Sequence, residues 1–366
     1  MAAAAELTGR LARSWAHLDG PRRLAGIDLA RGLAVLGMFA AHLIALPEFS
    51  WADPATWLDV ASGRSSILFA TLAGVSIGLV TGARTPVAGV DLQRARVRLG
   101  ARAGLIWVLG ILLIATGVPV YVILPAYGIL FLLALPFLPL RSRALFAVAA
   151  VLGAVMPFVQ VVLDALPVWQ TETGALLDAV LGWHYPFTVW IAFLLCGLGI
   201  GRLDLRSARV AALLLAAGAA LAVAGYGLAA IAVPTGSVFW NAVWTAAPHS
   251  SGVLEVFGSG GFAVAVIGLC LLVCRTPLRW IAVPLRAVGS MPLTAYTAQL
   301  VVWAIVAAIV HGDPGDLTGF RALEPFWPMV WGTLIACTAW ALLIGRGPLE
   351  WAVARITDAA GRSVGP

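Results

Sequence analysis

The sequence predicts an all-α, polytopic membrane protein with about ten transmembrane helices. Of its 366 residues, 61% are apolar and only 11% are charged, and its mean hydropathy is +0.97. A soluble globular chain is nearer half apolar and about a quarter charged. This composition excludes a disordered protein, a disulfide scaffold and an ordinary soluble enzyme. Because the apolar runs follow one another without a soluble domain between them, we predict one membrane-embedded unit.

Ten apolar segments are candidates for membrane helices, which need about 20 apolar residues each. The third segment is short, and the sequence Gly-Val-Pro-Val (117–120) links it to the fourth. In chain order the segments are 26–46, 65–82, 103–118, 120–138, 144–166, 185–201, 210–233, 256–274, 288–310 and 326–345.

Short segments flank this series. In the first of them, Leu7, Leu11, Trp15 and Leu18 recur at helical spacing with arginines between them, which predicts an amphipathic helix on the membrane surface or a flexible terminus. We expect no signal peptide, because no apolar core precedes a small-residue cleavage site. The predicted organisation is a cytoplasmic N-terminus, a transmembrane domain and a cytoplasmic tail, at residues 1–25, 26–346 and 347–366.

The arginines predict the orientation of the helices. All 23 basic residues are arginines, and 20 of them fall in alternate gaps of the series, starting with the N-terminus. Only Arg64 and Arg321 fall on the other side, and Arg31 lies inside the first segment. Because cytoplasmic loops carry the excess of basic residues, both termini are predicted to be cytoplasmic. The outer loops are too short to form a domain, so chemistry on that side would require a pocket in the bundle.

The four cysteines lie inside apolar segments, where they are interpreted as small buried hydrophobes. None has a histidine or a carboxylate beside it at metal-ligand spacing. We therefore predict neither a disulfide framework nor a metal site. Nucleic acid is not an expected partner, because arginines between apolar spans are typical topology signals.

The first segment contains three ionisable residues, which are costly in a membrane and usually functional. Asp28 and Arg31 are three residues apart and share a helix face, as a structural ion pair or as part of a site. His42 follows Arg31 by 11 residues, close to three helical turns, so both side chains point the same way about 16 Å apart. One stripe thus places a cation near the inner surface and an imidazole near the outer one.

The outer sequence Pro-His-Ser-Ser-Gly-Val-Leu-Glu precedes the eighth segment. It offers His249 as a base or proton shuttle, Ser250 as a hydrogen-bond donor and Glu255 at the mouth of the helix. The alternative is helix capping, in which Ser251 or Gly252 begins the helix and an acid in the first turn stabilises its dipole. The sequence favours neither His184 nor His311 for a role.

Other charged residues are candidates for ligand contacts. Arg64 lies on the outer side against the topology rule, and it would either pair with Asp59 or bind an anion. With Glu48 and Ser250, Arg64 and Asp59 are the candidate contacts of an acceptor substrate. A run of arginines precedes the third segment on the cytoplasmic side and comprises Arg94, Arg96, Arg98 and Arg102. It is either a topology signal or a phosphate-binding site, because a guanidinium group can donate two parallel hydrogen bonds to a phosphate.

Several motifs resemble known families. Arg-x-x-Gly-Ile-Asp-x-x-Arg-Gly-Leu-Ala (23–34) and Gly-Arg-Ser-x-x-Leu-Phe-Ala-x-Leu-Ala-Gly-Val-Ser (63–76) resemble the heparan-α-glucosaminide N-acetyltransferase-like family. The C-terminal half resembles the bacterial YeiB-like membrane proteins. Its matching motifs are Leu-Pro-Ala-Tyr-Gly (124–128), Gly-x-Gly-Arg-Leu-Asp (199–204), Val-Gly-x-Met-x-Leu-Thr-x-Tyr-x-x-Gln (288–299) and Gly-Pro-Leu-Glu-Trp (347–351).

The resemblance implies a transmembrane acyltransferase that takes acetyl from cytosolic acetyl-CoA and gives it to a sugar amine on the far side. The animal members have a catalytic histidine in the loop after the first core helix, whereas here residues 47–63 include Glu48, Asp53 and Asp59 but no histidine. Where those enzymes have an asparagine, this chain has His42. We therefore predict that His42 has taken the role of the base, with Arg31 and the cytoplasmic arginines holding an acyl-CoA.

Three functions remain open on the sequence. The first is an acyltransferase of a bacterial inner or cell membrane, using acetyl-CoA or another acyl-CoA, with an amine or hydroxyl of a glycan or envelope component as acceptor. The second is a transporter or exporter of a lipid or glycan, in which Asp28, Arg31 and His42 form a relay. The third is a structural or regulatory membrane protein with a degenerate site. Membrane lipids are expected partners, and a homodimer is left open.

Overall fold

A computed structural model describes residues 14–21, 23–47, 49–50 and 52–364, and these residues form helices and turns with no β-strand. Short 3₁₀ helices lie at Pro54–Ala61, Leu135–Phe137 and Pro167–Gln170. The α-helices are α1 (Ala25–Leu43), α2 (Arg64–Val80), α3 (Gly89–Ile114), α4 (Leu124–Leu133), α5 (Ser142–Asp164), α6 (Glu172–Leu181), α7 (Phe187–Gly201) and α8 (Ala208–Ile231). They continue with α9 (Val238–Val243), α10 (Val253–Val273), α11 (Leu278–Ile281), α12 (Val283–Ser290), α13 (Pro292–His311), α14 (Leu317–Ala322), α15 (Phe326–Leu343) and α16 (Pro348–Arg362).

Within the described ranges, eight helical segments are long and apolar enough to cross a membrane: α1, α2 with its preceding 3₁₀ helix, α3, α5, α8, α10, α13 and α15. Two shorter apolar helices, α4 and α7, coincide with the fourth and sixth segments expected from the sequence. The chain is therefore an all-helical, multi-pass membrane protein. The count of ten spans and the cytoplasmic location of both termini stay predictions.

Two helix boundaries differ from those expected from the sequence. The third helix begins at Gly89 rather than at residue 103, because the arginine run continues the same helix beyond its apolar part. The ninth segment is divided into α12 and α13, and α13 begins with Pro292. A proline lacks the N–H that would continue the preceding helix and is well suited to the first helical turn.

The central and peripheral helices differ in burial. In α1 and in the segment that ends with α2, 67% of the membrane-length window is buried, whereas in α8 only 17% is buried. In α7, 12 of 15 residues are buried. We conclude that α1, α2 and α7 form the centre of the bundle, while α8 presents its apolar side chains outward, as a lipid-facing helix does.

Glycines allow the central helices to approach closely. A Cβ on Gly197 would overlap the main-chain carbonyl of Thr71, and a Cβ on Gly201 would lie 3.0 Å from the Cα of Gly78. The Gly-x-x-x-Gly of α7 is therefore the surface on which α2 packs, as small-residue motifs do in membrane bundles.

Both flanking segments pack on the bundle. Trp15 stacks on Trp280 with their ring centroids 5.9 Å apart, and Leu18 is buried in the core, whereas Leu7 and Leu11 lie outside the described residues. At the other end of the chain, Asp358 of α16 pairs with Arg98 of α3 at 3.7 Å. The last segment is thus mostly a helix that packs against α3.

Candidate active site

The N-terminal end of α1 carries an ionic network. Asp28 is 2% exposed and contacts two guanidinium groups, Arg23 at 2.9 Å and Arg31 at 3.1 Å. Arg31 also donates to the hydroxyl of Ser76 at 2.6 Å. The predicted pair of Asp28 and Arg31 is therefore confirmed as a contact, and each of its members has a further partner.

The cytoplasmic arginine run spreads its side chains over several partners. The Arg94 guanidinium lies 3.4 Å from Asp91, and Arg96 donates to the carbonyl of Leu135 at 3.4 Å. Arg102 lies within electrostatic range of Arg31. The run therefore does not form one cluster: Arg102 approaches Arg31, whereas the others contact neighbouring helices and loops.

The C-terminal end of α1 carries His42. Its Nδ1 lies 3.2 Å from the amide nitrogen of Gln299, and its ring meets Tyr296 edge to face with centroids 6.3 Å apart. Arg321 donates to the main-chain carbonyl of His42 from Nε at 3.2 Å and from Nη2 at 2.9 Å. Residues that follow His42 by more than 250 positions thus fix both its ring and its backbone.

Two adjoining cavities lie at this end of the bundle. The histidine cavity, of about 260 Å³, is lined by His42, His184, His249, Arg321, Ser62, Ser65 and other residues of α1, α2 and the loops. The acidic cavity, of about 430 Å³, is lined by Asp164, Asp178, Trp169, Trp183, Ser250, Ser251 and their neighbours. Tyr121, His184 and His249 line both cavities and form the boundary between them.

The loop that carries His249 is held by Glu255. The Glu255 carboxylate accepts hydrogen bonds from the main-chain N–H of His249 at 2.6 Å and of Ser251 at 2.7 Å, and from the Ser250 hydroxyl at 3.2 Å. His249 and Ser251 have positive φ values of 60° and 55°, which are uncommon for residues other than glycine. Gly252 is the N-cap of α10, and Glu255 lies in the first turn of that helix, as the capping alternative predicted. The Glu255 oxygens orient the loop rather than line either cavity.

The two histidines at the boundary are neutral near pH 7. Burial, with His184 and His42 nearby, lowers the pKa of His249 to about 4. Burial also lowers the pKa of His184 to about 4. His184 stacks on Tyr121 with centroids 3.7 Å apart and lies 4.8 Å from the ring of His249. Both imidazoles therefore have a lone pair available beside the cavities.

The acidic cavity combines aromatic rings with carboxylates. Trp169 and Trp183 stack with centroids 4.7 Å apart, and Asp164 accepts from the indole N–H of Trp183 at 2.9 Å. Burial raises the pKa of Asp178. The Ser251 hydroxyl is buried without a hydrogen-bond partner. These groups can bind a hydroxylated or basic ligand.

Several predicted residues are not part of these cavities. Arg64 donates to the Tyr226 hydroxyl at 2.7 Å, and Tyr226 bonds in turn to Ser259, so Arg64 faces α8 and α10. Asp59 accepts from Arg64 only through its main-chain oxygen, at 3.4 Å. Glu48 lies outside the described residues. His311 lies 3.9 Å from Asp316 and lines neither cavity.

Sequence reasoning missed residues that complete the site. His184 lacked any partner in its own segment, and the aromatic pair of the acidic cavity, Trp169 and Trp183, lies 14 positions apart along the chain. Two signals were present: Arg321 lies against the topology rule, and Gln299 ends the Tyr-x-x-Gln portion of a motif. Neither signal identifies His42 as the partner.

Comparison with protein families gives two matches. Residues 23–231, more than half of the chain, match the family described as heparan-alpha-glucosaminide N-acetyltransferase, catalytic. Residues 201–360 match a family described as protein of unknown function, DUF418. A search of curated proteins finds no match. His42 and His184 fall in the first match, Gln299 and Arg321 in the second, and His249 also in the second, so both regions contribute to the histidine cavity.

Proposed function

The chain belongs to the heparan-alpha-glucosaminide N-acetyltransferase catalytic family, and we propose that it moves an acetyl or other acyl group from cytoplasmic acyl-CoA to an extracytoplasmic acceptor. The family is one of transmembrane acetyltransferases, and the resemblance of the motifs to it is confirmed. The donor, the acceptor and the residues that act on them are our proposal.

The observation that carries the proposal is the pair of sites at the two ends of α1. Arg31 lies at one end, beside Arg102, and His42 lies at the other, in the wall of the histidine cavity. Their separation of 11 residues corresponds to about 16 Å along a helix. An acyl-CoA has an anionic head and a long thin arm that ends in the thioester, so it fits between a cationic end and a histidine end.

We assign the donor head group to the arginine-rich end. Arg31 is partly buried and Arg102 is exposed, so a head group can reach both, and the guanidinium group binds phosphate through paired hydrogen bonds. Arg94, Arg96 and Arg98 precede Arg102 on the same helix and supply further positive charge. Asp28 orients Arg31 through their ion pair rather than taking part in the chemistry.

We assign the acceptor to the acidic cavity. Its stacked tryptophans offer an apolar face for a sugar ring, and Asp164, Asp178 and Ser250 offer hydrogen-bonding groups around it. An amine or a hydroxyl placed there would reach the boundary formed by His184 and His249. The acceptor is therefore an amine or hydroxyl of a glycan or another envelope component.

The reaction needs a proton acceptor and a hydrogen-bond donor at the acyl carbonyl. His42 and His249 both line the histidine cavity and can supply these two functions. General-base assistance of this kind contributes about 10²–10⁴-fold, and one donor to a developing oxyanion about 10²–10³-fold.

The test is thiol release from acetyl-CoA by the purified protein in lipid nanodiscs, with a panel of amino sugars and polyols as acceptors and mass spectrometry of the products. We expect acceptor-dependent thiol release and an acylated product. Movement of a solute across proteoliposomes without thiol release would instead favour the transporter, with Asp28, Arg31 and His42 as its relay.

A further inference from the structure

The contact between His42 and Gln299 determines which nitrogen of the imidazole carries the proton. The Gln299 amide nitrogen lies 3.2 Å from His42 Nδ1. An amide –NH₂ only donates hydrogen bonds, so a nitrogen that accepts from it carries no proton. A neutral imidazole whose Nδ1 accepts must therefore carry its proton on Nε2.

The amide group of Gln299 is buried, and its nitrogen is the atom that meets His42. Gln299 is 2% exposed, and its Oε1 is buried without a partner. The indole N–H of Trp303 is also buried without a partner, and Trp303 follows Gln299 by four residues on α13, where side chains are neighbours. Gln299 Oε1 and Trp303 Nε1 are thus an acceptor and a donor, one helical turn apart, that both lack a partner. A reversed amide would place the carbonyl oxygen against Nδ1 and would require the proton on that nitrogen, so the amide orientation and the tautomer are fixed together.

We infer that His42 is the hydrogen-bond donor of the site, through Nε2–H, and that Gln299 is the positioning residue that fixes this tautomer. This inference rests on the proposed function only for the identity of the atom that accepts the hydrogen bond from Nε2–H. That atom is the carbonyl oxygen of the thioester. It replaces the role of base that the sequence predicted for His42.

Arg321 completes the support of His42. It donates twice to the His42 carbonyl, and it lines the histidine cavity. No carboxylate of a described residue pairs with it. The Arg321 charge therefore favours negative charge on the same side of the cavity as the donor of His42. Both supporting residues lie outside the 23–231 match, so the C-terminal region positions a histidine of the N-terminal region.

The proton of the acceptor then goes to His249. As the acceptor nitrogen or oxygen forms its bond to the acyl carbon, its proton passes to the His249 imidazole, and negative charge develops on the carbonyl oxygen beside His42. When the carbon–sulfur bond breaks, the imidazolium gives that proton to the thiolate. The products are the acylated acceptor and free CoA thiol.

The tautomer can be measured without any activity. Protein labelled with ¹⁵N-histidine in nanodiscs at pH 7 gives two-bond ¹H–¹⁵N correlations that distinguish Nδ1–H from Nε2–H, and His42→Gln identifies the His42 signal by its loss. We expect Nε2–H in the wild type. Gln299→Glu, whose carboxylate only accepts, should move the proton to Nδ1. Gln299→Met should give a mixture of tautomers, while the exposed control Gln93→Met should keep Nε2–H.

A proton on Nδ1 in the wild type would overturn the inference, as would an unchanged Nε2–H signal in both Gln299 variants. The kinetic arm compares His42→Gln, which keeps an N–H donor near the position of Nε2, with His42→Leu. We expect His42→Gln to retain much of kcat and His42→Leu to lose about 10²–10³-fold. Equal loss in the two variants would remove His42 as a donor. A wild type that transfers no acyl group would refute the proposed function and leave the tautomer result standing.

Discussion

The two ends of α1 differ in how their charged groups are paired. At the arginine-rich end, Asp28 lies between Arg23 and Arg31, and Arg286 pairs with Asp19. At the histidine end, His184 and His249 are neutral, and Arg321 has no carboxylate partner among the described residues, whereas buried atoms without a hydrogen bond occur at both ends.

This difference separates two uses of buried polar groups. Paired charges within a bundle mainly hold helices together, and breaking one pair leaves an uncompensated charge. Unpartnered groups beside a cavity are costly unless a ligand or water satisfies them. The histidine end is therefore where we expect chemistry, and the arginine-rich end is where we expect binding of an anionic head group.

The first prediction concerns the orientation of the chain in the membrane, because a reversed orientation would exchange the roles assigned to the two ends of α1. Cysteine at Glu172, which is exposed beside the acidic cavity, should react with an impermeant thiol reagent in intact cells, whereas cysteine at Arg143 should react only after permeabilisation. The native cysteines are buried or partly buried and serve as the background. Labelling of position 143 from outside would reverse the assignment of the two ends.

The second prediction concerns His249. His249→Gln removes the proposed proton acceptor and should reduce acyl transfer by about 10²–10⁴-fold, measured as acceptor-dependent thiol release. Affinity for acetyl-CoA should be unchanged, because the head group binds at the other end of α1. If His249→Gln transferred acyl groups at the wild-type rate, the proton acceptor would have to be His184.

The third prediction concerns donor binding at the arginine-rich end of α1. Arg31→Ala together with Arg96→Ala should weaken acetyl-CoA binding, because each lost charge-assisted contact costs on the order of 1.5–3 kcal/mol. Isothermal titration with acetyl-CoA measures this loss, and Arg143→Ala provides a distant arginine control. An unchanged affinity in the folded double variant would favour the transporter interpretation.

The fourth prediction concerns the loop between the cavities. Glu255→Gln replaces one accepting oxygen with an –NH₂ and leaves one of the main-chain donors of His249 and Ser251 unsatisfied, which costs about 1–3 kcal/mol. We expect a lower thermal midpoint and a lower kcat with unchanged acetyl-CoA affinity. Glu172→Gln, at an exposed helix start, is the matched control, and an equal shift in both variants would contradict the role of Glu255.

The last prediction concerns the dependence of stability on pH. His184 and His249 have pKa values of about 4 in the folded protein and about 6.5 when unfolded. Between these values the unfolded chain binds more protons, so the free energy of unfolding falls as the pH falls from about 6.5 to about 4. Thermal midpoints at pH 7 and pH 4.5 measure the slope. The His184→Gln/His249→Gln double variant should have a shallower slope, and an equal slope would show that other groups cause it.

Much of the helical framework could be predicted from the sequence, because hydrophobic runs and helical periodicity are local properties. The pairing of Asp28 with Arg31 and the shared stripe of Arg31 and His42 follow from the spacing of residues on one helix. The family resemblance likewise depended on short motifs that can be read directly along the chain.

Only the tertiary structure decided what surrounds those residues. Gln299 reaches His42 across 257 positions, and Arg64 turns to Tyr226 instead of a ligand cavity. Glu255 faces its own loop because His249 and Ser251 adopt positive φ. Such contacts depend on how closely the helices pack and how the loops close over their ends, and neither property is encoded in the spacing along one helix. The sequence therefore predicted His42 as a site residue, whereas the packing of α13 against α1 placed Gln299 against its Nδ1.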